Sequence, residues 1–172
     1  DLGRIWLAPE LIGPMSIIIR RAMPADAALL VEMIAALAAH HGDHAQVSAD
    51  YLIEYALLNP REYVFLLAEL DGVVAGFADY NIFVNFVDAR RIINLDLLYV
   101  QKGLRGRGVG KELTRAIMRE GLALGCAEFR IGARKDNAAT VAIYRGFGFA
   151  EEDRGPSLRF IANEALMYQL VG

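Results

Sequence analysis

The chain has 172 residues, 55% of them apolar, a formal net charge of −3 and one cysteine, Cys126. That length suits one domain with a sizeable core, and the acidic balance speaks against a general binder of nucleic acid or anionic membrane. The lone cysteine excludes an intramolecular disulfide and a cysteine-rich metal site, and no apolar run approaches the ~18 residues that span a bilayer.

The first fourteen residues, "DLGRIWLAPELIGP", lack the basic start and long apolar stretch of a secretory signal. They read as an N-terminal extension before Met15, a candidate natural start. One domain is expected over 15–172, with the cytoplasm as default compartment. "SIIIRR" (16–21) reads as a strand, and "PADAALLVEMIAALAAH" (24–40) as a helix with Pro24 or Asp26 in its first turn. "SADYLIEYALL" (48–58) is a second helix capped by Ser48. "EYVFLLAEL" and "VVAGFADYNIFV" are β-rich runs separated by Asp71-Gly72, a two-residue hairpin signal. "RIINLDLLYV" (91–100) is another strand. Val109, Leu113, Ala116, Ile117 and Leu124 then mark one face of a helix ending near Gly125. "EFRIGA" (128–133) is a strand, Asn137 a plausible cap for a short helix to about Phe147, and "ALMYQLV" (165–171) a closing strand. The order is β-α-α-β-β-β-α-β-α-β-β, a mixed α/β layer architecture.

The segment "LLYVQKGLRGRGVGKEL" (97–113) concentrates glycine and positive charge directly after a strand. Gly106, Gly108 and Gly110 let the main chain approach a ligand closely. The helix starting near Val109 offers unpaired N–H groups and the positive end of its dipole. Arg105, Arg107 and Lys111 add charge, so two neighbouring phosphates fit such a nest; the plain alternative is an unliganded surface turn. A P-loop is ruled out because Glu112 follows Gly110-Lys111 and Arg105 stands where the first glycine belongs. A dinucleotide fingerprint fits poorly, since Lys111 replaces its third glycine.

The pattern Arg105-x-x-Gly108-x-Gly110 after a strand resembles motif A of the GNAT superfamily of N-acetyltransferases. "NAATVAIYRGFGF" follows at the family's place for its asparagine-to-tyrosine helix, and the similarity extends over residues 16–171. "AELDGVVAGFADY", "NLDLLYV" and "LRFIANEAL" resemble segments of the spermidine/spermine (diamine) acetyltransferase-like branch. The resemblance implies a mixed, mostly antiparallel twisted sheet of about seven strands flanked by about four helices. It implies an acetyl-CoA-dependent N-acetyltransferase whose acceptor is the primary amine of a small molecule: a diamine, polyamine or amino-acid-like compound. Protein or peptide amines are the alternative acceptors, and a non-catalytic CoA-binding regulatory module the alternative role. A homodimer is also implied, with neither nucleic acid nor membrane as partner.

Carried over by position, Asp96 takes the place of the diamine branch's glutamate base. It is one methylene shorter, which favours a water relay, and Leu97 replaces the acid that follows. A strand-end acid making a local hydrogen bond is the other reading of Asp96. Tyr144 matches the donor to the CoA sulfur, or else buries an aromatic ring. Leu98, Tyr99 and Val100 match the strand that holds the pantetheine arm, with the Leu98 N–H a candidate for polarising the thioester carbonyl. Arg105 and Gly106, Arg107, Gly108, Val109, Gly110 and Lys111 match the pyrophosphate loop. Asn137 matches a second cofactor contact, or only caps its helix. "HHGDH" (40–44) is a poor metal site for want of a third ligand of suitable geometry, but His41 or His44 could touch an acceptor. Cys126, with no histidine near in sequence, reads as an inert, partly buried thiol. Asp79, Asp88 and Glu32 are candidates for an acidic surface docking a cationic amine.

Overall fold

A computed structural model describes residues 16–58 and 63–172. The N-terminal extension, Met15 and Glu62 of the expected second strand lie outside them. β1 (Ile17–Arg21) leads to α1 (Ala27–His40) and α2 (Ala49–Leu52), which continues through a π-helical stretch, Ile53–Leu57. Next come β2 (Val64–Leu70), β3 (Val73–Asn85), β4 (Arg90–Val100), α3 (Val109–Ala123) and β5 (Glu128–Arg134). The order ends with α4 (Ala138–Gly146), β6 (Ala150–Arg154), β7 (Ser157–Asn163) and α5 (Glu164–Val171). The strands form one sheet in the order β1-β2-β3-β4-β5-β7-β6. Only β4 and β5 run parallel; every other neighbouring pair is antiparallel. This is the expected mixed sheet, with one helix more than expected. No helix among the described residues is long and apolar enough to cross a membrane.

Alternation along β2 feeds two cores, one on each face of the sheet. Leu66, Ala68 and Leu70 join the core under α3 and α5; Phe65 and Leu67 join the one under α1 and α2. α1 buries Ala27, Leu30, Met33 and Leu37, spaced by three or four residues, against Phe65, Leu67 and Phe77. Its entry is fixed by Asp26, whose carboxylate accepts from the Met23 N–H at 2.8 Å and from Arg20 at 2.8 and 3.0 Å. The Arg20 guanidinium holds that carboxyl below the usual carboxylate range. Ser48 caps α2 as expected, its Oγ accepting from the Tyr51 N–H at 3.2 Å. Asp71 and Gly72 close the β2–β3 hairpin with φ of +51° and +82°, the paired left-handed residues of a type I′ turn.

The chain's end corrects one expectation. "ALMYQLV" forms α5, and β6 and β7 supply the last strands instead. Asn163 caps α5, its Oδ1 accepting from the Leu166 N–H at 2.9 Å. Leu166, Met167, Leu170 and Val171 recur at helical spacing, and all pack into the core that α3 covers. On α3 itself Val109, Leu113 and Ile117 are buried, whereas Leu124 lies beyond the last turn and is exposed. Gly125, at φ +72°, ends that helix where expected.

Candidate active site

The parallel strands β4 and β5 pair from Ile92–Glu128 to Leu95–Ile131, and no further. The cause is visible in β4. Ile93 and Leu95 face the α3 core, but so do Leu98 and Val100, so the alternation slips by one residue between them. Across the ladder Tyr80 pairs with Leu95 and Ala78 with Leu98, leaving Asp79 opposite both Asp96 and Leu97. This is a β-bulge. The extra amide is not orphaned: the Asp79 carboxylate, 3% exposed, accepts the Leu97 N–H at 2.6 Å.

Beyond the bulge, the Gln101 N–H donates to the Ala75 carbonyl at 2.8 Å. Counting back along the register, Phe77–Tyr99 is a hydrogen-bonded pair, and Gly76–Val100 and Ala78–Leu98 are non-hydrogen-bonded pairs. The main-chain groups of Leu98 and Val100 therefore point away from β3, into the gap that β5 leaves. Gly76 permits this close approach, since a Cβ there would collide with the Tyr99 carbonyl.

The gap widens into a cleft of about 950 Å³. Asp96 to Val100 form one side, and Gly132 to Arg134 of β5 the other. Gly106 and Gly108 to Lys111 close one end; Asn137, Thr140 and Tyr144 contribute from α4. Gly106 and Gly108 adopt φ of +77° and +86°, and Gly108 is the N-cap of α3. The first intrahelical bond runs from the Glu112 N–H to the Gly108 carbonyl at 3.0 Å. The amides of Val109, Gly110 and Lys111 thus lack a helical acceptor and stand at the positive end of the helix dipole. Gly110 has no positive φ; a Cβ there would meet Val100 and Leu98 at ordinary distances of 3.7 and 3.8 Å. Arg105 and Lys111 line the cleft, whereas Arg107 does not. Arg105 is partly engaged, its Nε donating to the Val100 carbonyl at 3.0 Å and its guanidinium 5.9 Å from the Tyr99 ring centroid.

Tyr144 is both packed in the core and part of the cleft wall. Its ring is buried, 5.2 Å from Phe160 and 6.1 Å from Phe149, yet the residue lines the cleft. Burial raises its hydroxyl above the ordinary phenol pKa, which keeps it a proton donor. Asn137 does cap α4, accepting from the Thr140 N–H at 3.3 Å, and it also lines the cleft. Asp96 is exposed and lines the cleft.

Asp79 corrects a further expectation, because it belongs to no docking surface. Burial, with a smaller contribution from the neighbouring Asp96 charge, pushes its carboxyl up to about 7 against the opposing pull of the Leu97 N–H. Asp88 accepts from the Asn85 side chain at 2.7 Å, and neither it nor Glu32 reaches the cleft. His40 and His41 line the cleft and His44 does not. Among the described residues no three His, Cys, Asp or Glu side chains group as a metal site. Cys126 is 2% exposed, and burial raises its thiol pKa. Sequence reasoning missed the bulge role of Asp79, although it is the only acid inside the apolar run 73–84. It also missed Arg134, Arg154 and Arg159, brought to the cleft by strand pairing with no local signal.

Comparison with known proteins accords with this geometry. The model of the acetyltransferase (GNAT) family matches residues 30–149. An aminoglycoside N(6′)-acetyltransferase type 1 of Salmonella typhimurium is 32% identical over 101 residues, 57% of this chain and 70% of that protein. Thialysine N-epsilon-acetyltransferase of Sus scrofa is 25% identical over 158 residues, 84% and 92% of the two chains. Among solved structures, an aminoglycoside N-acetyltransferase in complex with CoA superposes with a TM-score of 0.68 at 25% identity, covering 85% of this chain and 95% of that one. With a split parallel seam, a helix N-terminus facing it and a family match over most of its length, the chain belongs to the GNAT family and is an acetyl-CoA-dependent N-acetyltransferase.

Proposed function

We propose that the acceptor is the primary amine of a small molecule and that acetyl passes to it directly, without an acyl-enzyme. The observation that carries this reading is the opened β4–β5 seam, along which Asp96, the turned-out Leu98 main chain and Tyr144 line one cleft. Likeness to enzymes named for aminoglycosides and thialysine supports a small acceptor. In this reading the diphosphate of the coenzyme lies against the amides from Gly106 to Lys111, with Arg105 and Lys111 adding charge in the cleft and Arg107 from outside it. Tyr99 and Val100 flank the pantetheine arm, and Asn137 gives a second contact.

A primary amine with pKa ~10 arrives protonated. Asp96 takes that proton, relayed by water across the distance its short side chain leaves. The freed nitrogen lone pair attacks the thioester carbonyl carbon, and the Leu98 N–H receives the growing oxyanion. The C–S bond then breaks with its electron pair on sulfur, the Tyr144 hydroxyl donates its proton to the departing thiolate, and the second proton of the attacking nitrogen passes through water to the Tyr144 oxygen, leaving a neutral amide and a free thiol. A homodimer belongs to the same reading, supported by the apolar tip of the β3–β4 hairpin, Phe86 and Val87, at 88% and 93% exposure; sedimentation of the purified chain tests it.

Steady-state acetylation of small amines beside peptide acceptors tests the acceptor class. Asp96→Asn is expected to lower kcat/KM by ~10²- to 10⁴-fold, and Tyr144→Phe by ~10- to 100-fold. Both variants should bind CoA in calorimetry as the parent does. Full turnover by Asp96→Asn would remove it as the base, and a preference for peptides would overturn the small-molecule reading.

A further inference from the structure

The charge lining the end of the cleft away from the glycine turn is unexpected for an enzyme acting on a polycation. Among the described residues Asp96 is the only carboxylate in the cleft lining, whereas Arg134, Arg154 and Arg159 all reach it. Their acidic partners, Asp136 and Glu152, lie outside that lining. Arg134 is consumed by Asp136, at 2.7 and 3.1 Å. Arg154 is held by Glu152 at 2.7 Å, which leaves Arg159 only a 3.4 Å contact to the same carboxylate.

Arg159 therefore has donors to spare, since a guanidinium carries five N–H groups in a fixed fork. Its cross-strand neighbour on β5 is Gly132, and a Cβ at Gly132 would meet nothing within 4 Å. Directly paired residues share a face of the sheet. Arg159 thus lies beside open space on the face opposite Phe129 and Ile131, which fill the α3 core. Ser157 and Leu158 line the cleft next to it, and His40 and His41 approach from the end of α1.

We propose that Arg159, backed by Arg154, binds a carboxylate of the acceptor, so that the acetylated amine belongs to an amino acid or a close derivative and not to a polycation. This rests on the small-amine reading above. A polyamine or aminoglycoside would meet one carboxylate and several guanidinium groups in the same cleft. An amino acid offers its amine to Asp96 and its carboxylate to a charge-assisted, two-pronged contact with Arg159.

The test pairs each amino-acid acceptor with its carboxamide: L-lysine, S-aminoethyl-L-cysteine and L-methionine sulfone, with kanamycin and spermidine as polycations. The parent should favour acid over carboxamide by ~10- to 100-fold in kcat/KM. Arg159→Gln should bring that ratio close to one, mainly through KM, and Arg159→Lys should keep part of it; thermal melting checks that both variants fold. Calorimetry of the same amino acids with the CoA-loaded protein gives a readout independent of turnover, and binding should be lost in Arg159→Gln. Acetylation of kanamycin or spermidine with no preference for acids over carboxamides would overturn the carboxylate site while leaving the acetyltransferase reading intact. Amino acids that bind through Arg159 but are never acetylated would uphold the site and overturn the small-amine reading.

Discussion

One strand, β4, serves two purposes on either side of its bulge. From Ile92 to Leu95 it is zipped to β5, and Ile92, Ile93, Leu95, Phe129 and Ile131 are all buried there. From Asp96 to Val100 the same strand has lost that neighbour, and Asp96, Gly132 and Arg134 are exposed around a cleft. The first half spends its main-chain groups on the ladder; the second turns those of Leu98 and Val100 outward. A single inserted residue, secured by Asp79, thus separates the part of the seam that stabilises from the part that binds.

Substitutions on the two sides should separate accordingly. The largest effect is expected in the zipped half, where Phe129→Ala should cost ~3–5 kcal/mol in urea unfolding. Its CoA affinity, measured well below its melting point, should stay near the parent's; a loss of binding larger than the loss of stability would mean that the halves are one unit.

At the bulge itself, Asp79→Asn keeps an acceptor for the Leu97 N–H and removes the charge. The Asp79 carboxyl has a reference value of 3.8 and stands at about 7 in the fold, where it faces the Leu97 N–H and the Asp96 carboxylate. Between those values the folded state binds the extra proton, so stability falls as pH rises from about 4 to about 7. The variant should escape that fall and gain roughly 4 kcal/mol above pH 8, with no gain below pH 4. Parallel pH–stability curves for the two proteins would refute the buried charge.

In the open half a smaller change is expected from Gly108→Ala. Forcing alanine to φ +86° costs ~1–2 kcal/mol, which should weaken CoA binding by roughly 5- to 30-fold. Gly110→Ala, with ordinary contacts and no positive φ, should weaken it less. The reverse order would mean that close approach by the ligand, not the turn's backbone, sets the need for glycine.

Local features were legible in the sequence. Asp71-Gly72, the Ser48 cap, the glycine turn and the α3 stripe from Val109 to Ile117 each depend on neighbours within a few residues, and the structure has them where the pattern puts them, Leu124 alone falling outside the stripe. The run that forms α5 reads as a strand because six apolar residues in seven suit either a strand or a helix face, and the deciding cap, Asn163, lies two residues before the run. The bulge could not be read from period-two alternation, since Asp96 and Leu97 look like ordinary strand positions until β3 sets their register. The outward main chain of Leu98 and the convergence of Arg159 with Gly132 have the same origin: pairing between distant segments, written in no short stretch of residues.

The burial of Cys126 has a practical consequence. Its sulfur is the chain's only thiol, and it is sealed at the foot of β5 with a pKa pushed upward. A chromogenic disulfide reagent such as Ellman's should therefore leave the folded protein untouched and report only the coenzyme set free at each turnover, which makes continuous colorimetry usable with no cysteine replacement.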